Sequence, residues 1–211
     1  MSHNDTEIEI KIKLDKDSFS KVREKVENTA KCTKSFQLFG MPKTQKRFCA
    51  FVKKVLQTDE YFTPAHRNFV EPKFPFEWLS IRKRGDKAIL NYKHFHPDNA
   101  EVHTHCDEFE AEIKNPEGLK KIFFALDFKS LVTVDKEREV FVYEDEFEIA
   151  LDIVKDLGYF IEIETMKDFG SVEKAREKLF GFAKILGVDV SNPDLRGYPF
   201  LMMEKNGLVK K

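Results

Sequence analysis

The segment EIEIKIKL, Glu7 to Leu14, alternates without interruption. Glu7, Glu9, Lys11 and Lys13 fall on one parity, and Ile8, Ile10, Ile12 and Leu14 on the other. Period-two alternation predicts a β-strand with one apolar face and one fully charged face. The pattern recurs along the chain. Arg82 and Arg84 share a face in WLSIRKR, and Asn91 and Lys93 in KAILNYKHF. HCDEFEAEI aligns Glu108, Glu110 and Glu112, and VDKER aligns Lys136 and Arg138. Glu148 and Asp152 match in FEIALDIV, as do Glu162 and Glu164 in GYFIEIE.

The period changes to that of a helix in three places. DKDSFSKVREKVENTA carries Phe19, Val22 and Val26 along one face, with Asp17 or Ser18 as the expected cap. NPEGLKKIFFALDF has Asn115 to cap it and Pro116 at its first helical position. SVEKAREKLFGFAKILG opens at Ser171 and stops at Gly187. RFCAFVKKVLQTDEYF reads as a long strand, and EWLSIRKR and KAILNYKHF as a hairpin around RGDK. KSLVTVDKERE, VFVYED, FEIALDIV and GYFIEIET read as a meander of short strands. YFTPAHRNFVEPKFPFEW is a loop between strands, and the apolar tail RGYPFLMMEK should pack. One domain over residues 1–211 is expected.

For a single antiparallel strand, a charged face is ordinarily a solvated face. The whole set admits another arrangement. Three helices can cover the apolar sides, and the sheet can curl until its charges face inward. The expected fold is α+β: a closed antiparallel β-barrel of about eight strands with helices packed outside. Interior charge is costly unless it is paired or binds something. Acidic and basic rows in one cavity suit a metal ion together with a polyanion.

Composition narrows the partners. Charged residues make up 35% of the chain, against roughly 25% in an average globular protein. Lys and Arg (36) nearly cancel Asp and Glu (37), for a net charge of −1. That argues against a nucleic-acid binder, which would carry a basic surplus, and leaves room for a small anion held by local charge. Cys32, Cys49 and Cys106 are odd in number and widely spaced, which suits a reducing compartment better than a disulfide framework. The N-terminal segment lacks the apolar core of a signal peptide, and no apolar run approaches a membrane span. A cytoplasmic protein with no membrane partner is expected, its oligomeric state left open. His94, His96, His103 and His105 crowd one segment. Zinc is conceivable there, but loop histidines without a partner motif are more often ordinary.

Several ordered motifs carry a resemblance. EIEIK (Glu7–Lys11) resembles the E-x-E-x-K signature of the CYTH superfamily, the triphosphate tunnel metalloenzymes. QTDEYF (Gln57–Phe62), LSIRKRGDKAILNYK (Leu79–Lys93), EFEAEI (Glu108–Ile113), DKER, and IALDIVKDLGYFIEIE (Ile149–Glu164) are similar to the later strands of that family, in family order. The resemblance implies a β-tunnel that binds triphosphates with Mg²⁺ or Mn²⁺. Carried over position by position, it makes Glu7, Glu9, Asp152, Glu162 and Glu164 the metal set. Lys11, Arg82, Arg84, Lys93, Lys136 and Arg138 become the triphosphate grip, with Asp59, Tyr61, Glu108 and Glu110 as further tunnel residues. Asn91 stands where the family commonly has Thr, and Cys106 where a basic residue often precedes the E-x-E strand. Repulsion between like charges in the cavity leads us to expect that removing Arg82, Arg84 or Arg138 weakens triphosphate binding yet raises stability without ligand.

Within the superfamily, QTDEYF and LDIVKDLGYFIEIE most resemble class IV adenylyl cyclases, which convert ATP to 3′,5′-cyclic AMP and pyrophosphate. An inorganic or thiamine triphosphatase is the alternative enzyme, and a non-catalytic polyphosphate- or nucleotide-binding module the alternative of another class. A cyclase also needs a seat for the base. Phe69, Phe74, Phe76 and Trp78, near Arg67, are the candidates at the tunnel mouth.

Overall fold

The first strand decides how the sheet closes. The computed structural model describes residues 6–36, 49–191 and 196–209. EIEIKIKL is interrupted at Ile8 into β1 (Thr6–Glu7) and β2 (Glu9–Leu14). β1 pairs with β6 (His105–Ile113), and β2 pairs with β9 (Gly158–Thr165). Between those two run β5 (Lys87–His96), β4 (Glu77–Arg84), β3 (Cys49–Pro64), β7 (Phe128–Tyr143) and β8 (Phe147–Val154), each antiparallel to its neighbours. One short segment thus bridges both edges of the sheet, and the nine strands form a nearly closed barrel. Counted as one interrupted strand, β1 and β2 bring the total to the expected eight. Register shifts in β3 at Phe51/Lys53 and Glu60/Phe62 supply local bends. β7 runs through the junction at which two short strands are expected, because β3 pairs with it along nearly its whole length.

The helices cover the apolar parity from outside. α1 (Lys16–Phe36) runs further than the sequence suggests, and its cap is Asp15 rather than Asp17 or Ser18. The Asp15 carboxylate accepts from the Ser18 backbone N–H at 2.8 Å and from its hydroxyl at 2.7 Å. α2 (Pro116–Ala125) and α3 (Val172–Ile185) carry the expected caps, Asn115 and Ser171. Gly187, at φ +78°, ends α3 in a conformation that side chains resist. α1 and α3 bury Phe19, Val22, Val26, Leu179 and Phe182 against Ile10, Ile12, Ile149, Ile161 and Ile163. α2 seats Phe123 against Phe62 and Ile81.

The tail forms α4 (Gly197–Lys205), buried from Tyr198 to Met203. It packs on inward-facing Tyr61, Trp78, Val134, Val154 and Phe160, so one end of the barrel interior is apolar and stoppered. Among the described residues, no helix is long and apolar enough to cross a membrane. Cys106 is a buried free thiol, while the side chains of Cys32 and Cys49 lie outside the described part.

Candidate active site

Above that apolar end the interior holds a cavity of about 220 Å³, lined by charged residues from β1 to β9. The parity of each strand delivers them, and the register sets them side by side: Glu9 opposite Glu164, Lys11 opposite Glu162, Arg138 opposite Asp152, and Lys93 opposite Glu108. Glu7, Glu9, Lys11, Arg82, Arg84, Lys93, Glu108, Glu110, Lys136, Arg138, Glu162 and Glu164 all line this one space, with Tyr61 at its apolar margin. Asp59 and Asp152 lie behind them, fully buried.

The carboxylates divide into two groups. Asp152 receives the Arg138 guanidinium at 2.8 and 2.6 Å, and its Oδ2 also accepts from the Tyr198 hydroxyl at 2.7 Å. Glu162 sits between Arg138 and Lys11, each at 3.1 Å. Burial alone would raise Glu162, but Arg138, Lys11 and Lys136 outweigh it and hold it well below the ordinary carboxylate range. Asp59, held by Arg82 at 3.2 Å and hydrogen-bonded by Gln57, is likewise kept low despite its burial.

The second group is short of cations. Glu7, Glu9, Glu148 and Glu164 converge from β1, β2, β8 and β9, where Glu164 lies between Glu9 and Glu148 in register. Lys93 bonds Glu7 and reaches Glu9 at 3.3 Å. Burial raises both Glu7 and Glu164, and the charges of neighbouring glutamates raise them further. The Glu7 carboxylate is the neighbour that raises Glu164 most. Such a set of hard oxygen donors, four carboxylates converging on one space, fits a divalent cation.

The basic side has its own imbalance. Burial and then Arg138 push Lys136 down to about 8. Its nearest carboxylate oxygens are at 3.6 Å on Asp59 and 4.0 Å on Asp152. Arg84, lowered by burial and by Arg82, touches Glu110 at 3.6 Å and Gln57 at 3.2 Å. An anion entering here would relieve both.

Sequence reasoning missed three contributors. Lys53 and Glu148 share the inward parity of their strands and line the cavity. Parity already sets Glu148 beside Asp152 without assigning it a role, and extending the rule along β3 finds Lys53. Tyr198 comes from α4, and no local pattern announces it. Its ring lies 4.6 Å from Lys11 Nζ and 4.9 Å from Lys136 Nζ, and edge-on to Phe160. The two departures from family pattern are absorbed as supports. Asn91 donates to Glu108 and Glu110, and Cys106 donates to Glu7 at 3.2 Å. The expected aromatic seat does not assemble. Trp78 faces the interior against Tyr61, whereas Phe69 packs on Tyr92 and Phe76 on His94, outside the barrel. Phe74 meets Lys73 instead. Period-two alternation explains the split: Trp78 shares the inward parity of Arg82, but the loop before it follows the outer face.

The model of the CYTH domain matches residues 41–198. That range begins after the E-x-E-x-K strand and ends at Tyr198. A Methanocaldococcus jannaschii protein provisionally named an adenylate cyclase is 31% identical over 149 residues, 70% of this chain and 82% of that protein. A Pyrococcus horikoshii structure superposes with a TM-score of 0.72 at 30% identity, over 94% of this chain and 99% of the other. A Hippeastrum structure, provisionally named an adenylyl cyclase and described as revealing a dominant triphosphatase activity, reaches a TM-score of 0.60 at 18% identity, covering 96% and 95%. At that identity the likeness concerns the fold. The family model spans well over half of this chain: the chain belongs to the CYTH domain family.

Proposed function

We propose that the barrel interior is the active site of a divalent-metal-dependent enzyme acting on a triphosphate, and that its reaction is the cyclisation of ATP to 3′,5′-cyclic AMP and pyrophosphate. The separation of charge carries the first part. Glu7, Glu9 and Glu164 share Lys93 and one contact from Lys11 to Glu9, while Lys136 and Arg84 meet carboxylates no nearer than 3.6 Å, within one cavity. A metal ion and a polyphosphate together complete both sets. Glu7, Glu9 and Glu164 would hold Mg²⁺ or Mn²⁺, with Glu148 beside them. Asp152 and Glu162 are already committed to Arg138 and Lys11, and their role is to hold those cations in place. The ion, when bound, would polarise phosphoryl oxygens and favour ionisation of the attacking hydroxyl.

The choice of cyclisation rests on the named relative, which covers more than two thirds of this chain. In that reaction the ribose 3′-oxygen forms a bond to the α-phosphorus. The bond from that phosphorus to the β-phosphate oxygen breaks, and pyrophosphate leaves. The hydroxyl proton passes to a glutamate of the raised group. Arg82, Arg138 and Lys136 face the negative charge that grows on the leaving pyrophosphate, in a site where water screens little.

One observation favours a triphosphatase instead. The basic residues assigned to the phosphates all line the cavity, while the aromatic stretch expected to seat a base is divided between the two sides of the barrel wall. Product analysis by chromatography separates the readings, with ATP, inorganic triphosphate and thiamine triphosphate assayed side by side in Mg²⁺ and Mn²⁺. Cyclic AMP with equimolar pyrophosphate is the expected result. Orthophosphate from triphosphate, with no cyclic nucleotide from ATP, replaces the cyclase by the hydrolase. Tight binding without turnover of any of the three reduces the site to a binding module.

A further inference from the structure

Strand β5 has two faces, and only one belongs to the cavity. Lys93 and Phe95 point inward. His94 and His96 therefore point outward, where alternation stacks their rings with centroids 4.5 Å apart. Asp98, just beyond the strand, turns back over them. One carboxylate oxygen, Asp98 Oδ1, lies 2.9 Å from His94 Nε2 and 3.7 Å from His96 Nδ1. One ligand atom from each of the three residues falls within 4.8 Å of the others. On the far side of the His96 ring, Nε2 lies 3.0 Å from Asp107 Oδ2.

These distances have a chemical meaning. Asp107 can accept a proton carried on His96 Nε2, and that tautomer leaves Nδ1, turned toward Asp98 Oδ1, available as a metal ligand. Tetrahedral bonds of about 2.0–2.1 Å place ligand atoms roughly 3.3 Å apart, and the two observed separations bracket that value. The carboxylate behind the ring matches the second feature of histidine metal sites, in which the non-ligating N–H is held by an acid.

We propose that His94, His96 and Asp98 form a binding site for a divalent transition-metal ion on the outer face of the barrel, with Asp107 orienting His96. The two imidazoles and one carboxylate suit zinc, cobalt, nickel or copper better than magnesium, which prefers an all-oxygen shell. That chemistry, and the opposite face of the strand, set this site apart from the carboxylates of the interior. His94 and Asp98 also line a groove of about 570 Å³ with Arg67, Glu77 and Tyr92. Three protein ligands leave a coordination position for water or a small anion, and the groove is the space next to it. A bound ion also ties the segment after β5 to the strand itself.

Cobalt(II) absorption tests this on the full, untagged chain, titrated in excess Mg²⁺ so that the interior carboxylates are occupied. One equivalent should bind with visible d–d bands. Asp98 is an exposed residue beyond the strand, and Asp98→Asn should weaken binding roughly tenfold or more with the fold intact by circular dichroism, as should His96→Gln; Asp107→Asn should weaken it about 10–100-fold. Glu164→Gln should bind as the parent does. Cobalt binding that survives Asp98→Asn and His96→Gln but is lost in Glu164→Gln assigns the ion to the interior and overturns the proposal. A parent protein that gives no d–d bands overturns it equally, leaving a hydrogen-bonded surface cluster.

Discussion

Lys136 and Arg138 lie two residues apart on one strand face, yet their environments give them opposite roles. Arg138 is matched on two carboxylates, and burial is outweighed by Asp152 and Glu162, which keep it firmly charged. Removing it strands a buried Asp152. Arg138→Met should cost about 3–5 kcal/mol of stability, the usual result of breaking one side of a buried pair. This reverses the sequence-based expectation that losing this arginine would stabilise the unliganded protein. Lys136 is the residue that meets that expectation. Its charged form is disfavoured in the fold, since its pKa falls from the ordinary 10.5 to about 8. Lys136→Met should therefore be more stable than the parent at pH 7 and bind triphosphate more weakly. Between about pH 8 and 10.5 the unfolded chain binds more protons at this position than the native one, so the stability of the parent rises with pH there. The gap between the two proteins should close over that window, and urea denaturation at several pH values measures it. The glutamates predict the reverse traffic of protons. Glu7 and Glu164 are raised, so metal binding should release protons from this group. Mg²⁺ or Mn²⁺ affinity should rise with pH beyond the range in which ordinary carboxylates titrate. Calorimetry in buffers of different ionisation enthalpy should detect proton release. Proton-neutral binding would mean that these glutamates are not the ligands.

At the scale of elements, two short pieces of chain do more than their length suggests. The β1–β2 segment joins both edges of the sheet and brings Glu7 and Glu9 to the site from either side of one interruption. α4 closes the apolar end and supplies Tyr198, the lid on the Arg138–Asp152 pair. The Tyr198 hydroxyl bonds to a buried carboxylate, a contact worth about 1.5–3 kcal/mol. Tyr198→Phe should lose about that much stability and should also weaken triphosphate binding, because Arg138 and Lys136 lose a shared support. Asp15→Ala provides the contrast. It removes the α1 cap at an exposed position, so it should lower stability modestly and leave substrate affinity unchanged. Thermal melts and triphosphate titrations of the two variants check both expectations, and equal effects on binding would remove Tyr198 from the site.

For the molecule as a whole, the interior is a balance of two incomplete charge sets. Filling one set makes filling the other easier, because metal and phosphate attract across the same low-dielectric space. Mg²⁺ and a triphosphate should therefore stabilise the protein together by more than the sum of their separate effects. Each alone contributes through mass action, about 2.7 kcal/mol at a hundredfold excess over its dissociation constant. Strictly additive shifts in melting temperature would show that the two bind independently and do not share the cavity.

Much of this molecule can be read from alternation alone. A strand has a strict period of two, so parity places Arg82, Lys93, Glu108, Lys136 and Glu164 on one face of their strands before any fold is known. Helix caps at Asn115 and Ser171 are equally local, since a side chain and a backbone N–H three residues on suffice. Tertiary structure decided what parity cannot express. Which strand lies beside which depends on closure, and closure depends on one segment serving two edges. Which glutamates are free depends on cross-strand partners: Glu162 and Glu164 look alike in sequence, but Glu162 meets Arg138 and Lys11 while Glu164 meets Glu7. Tyr198 belongs to a helix with no periodic signal of function, and it enters the site only because the barrel has an open apolar end for that helix to fill.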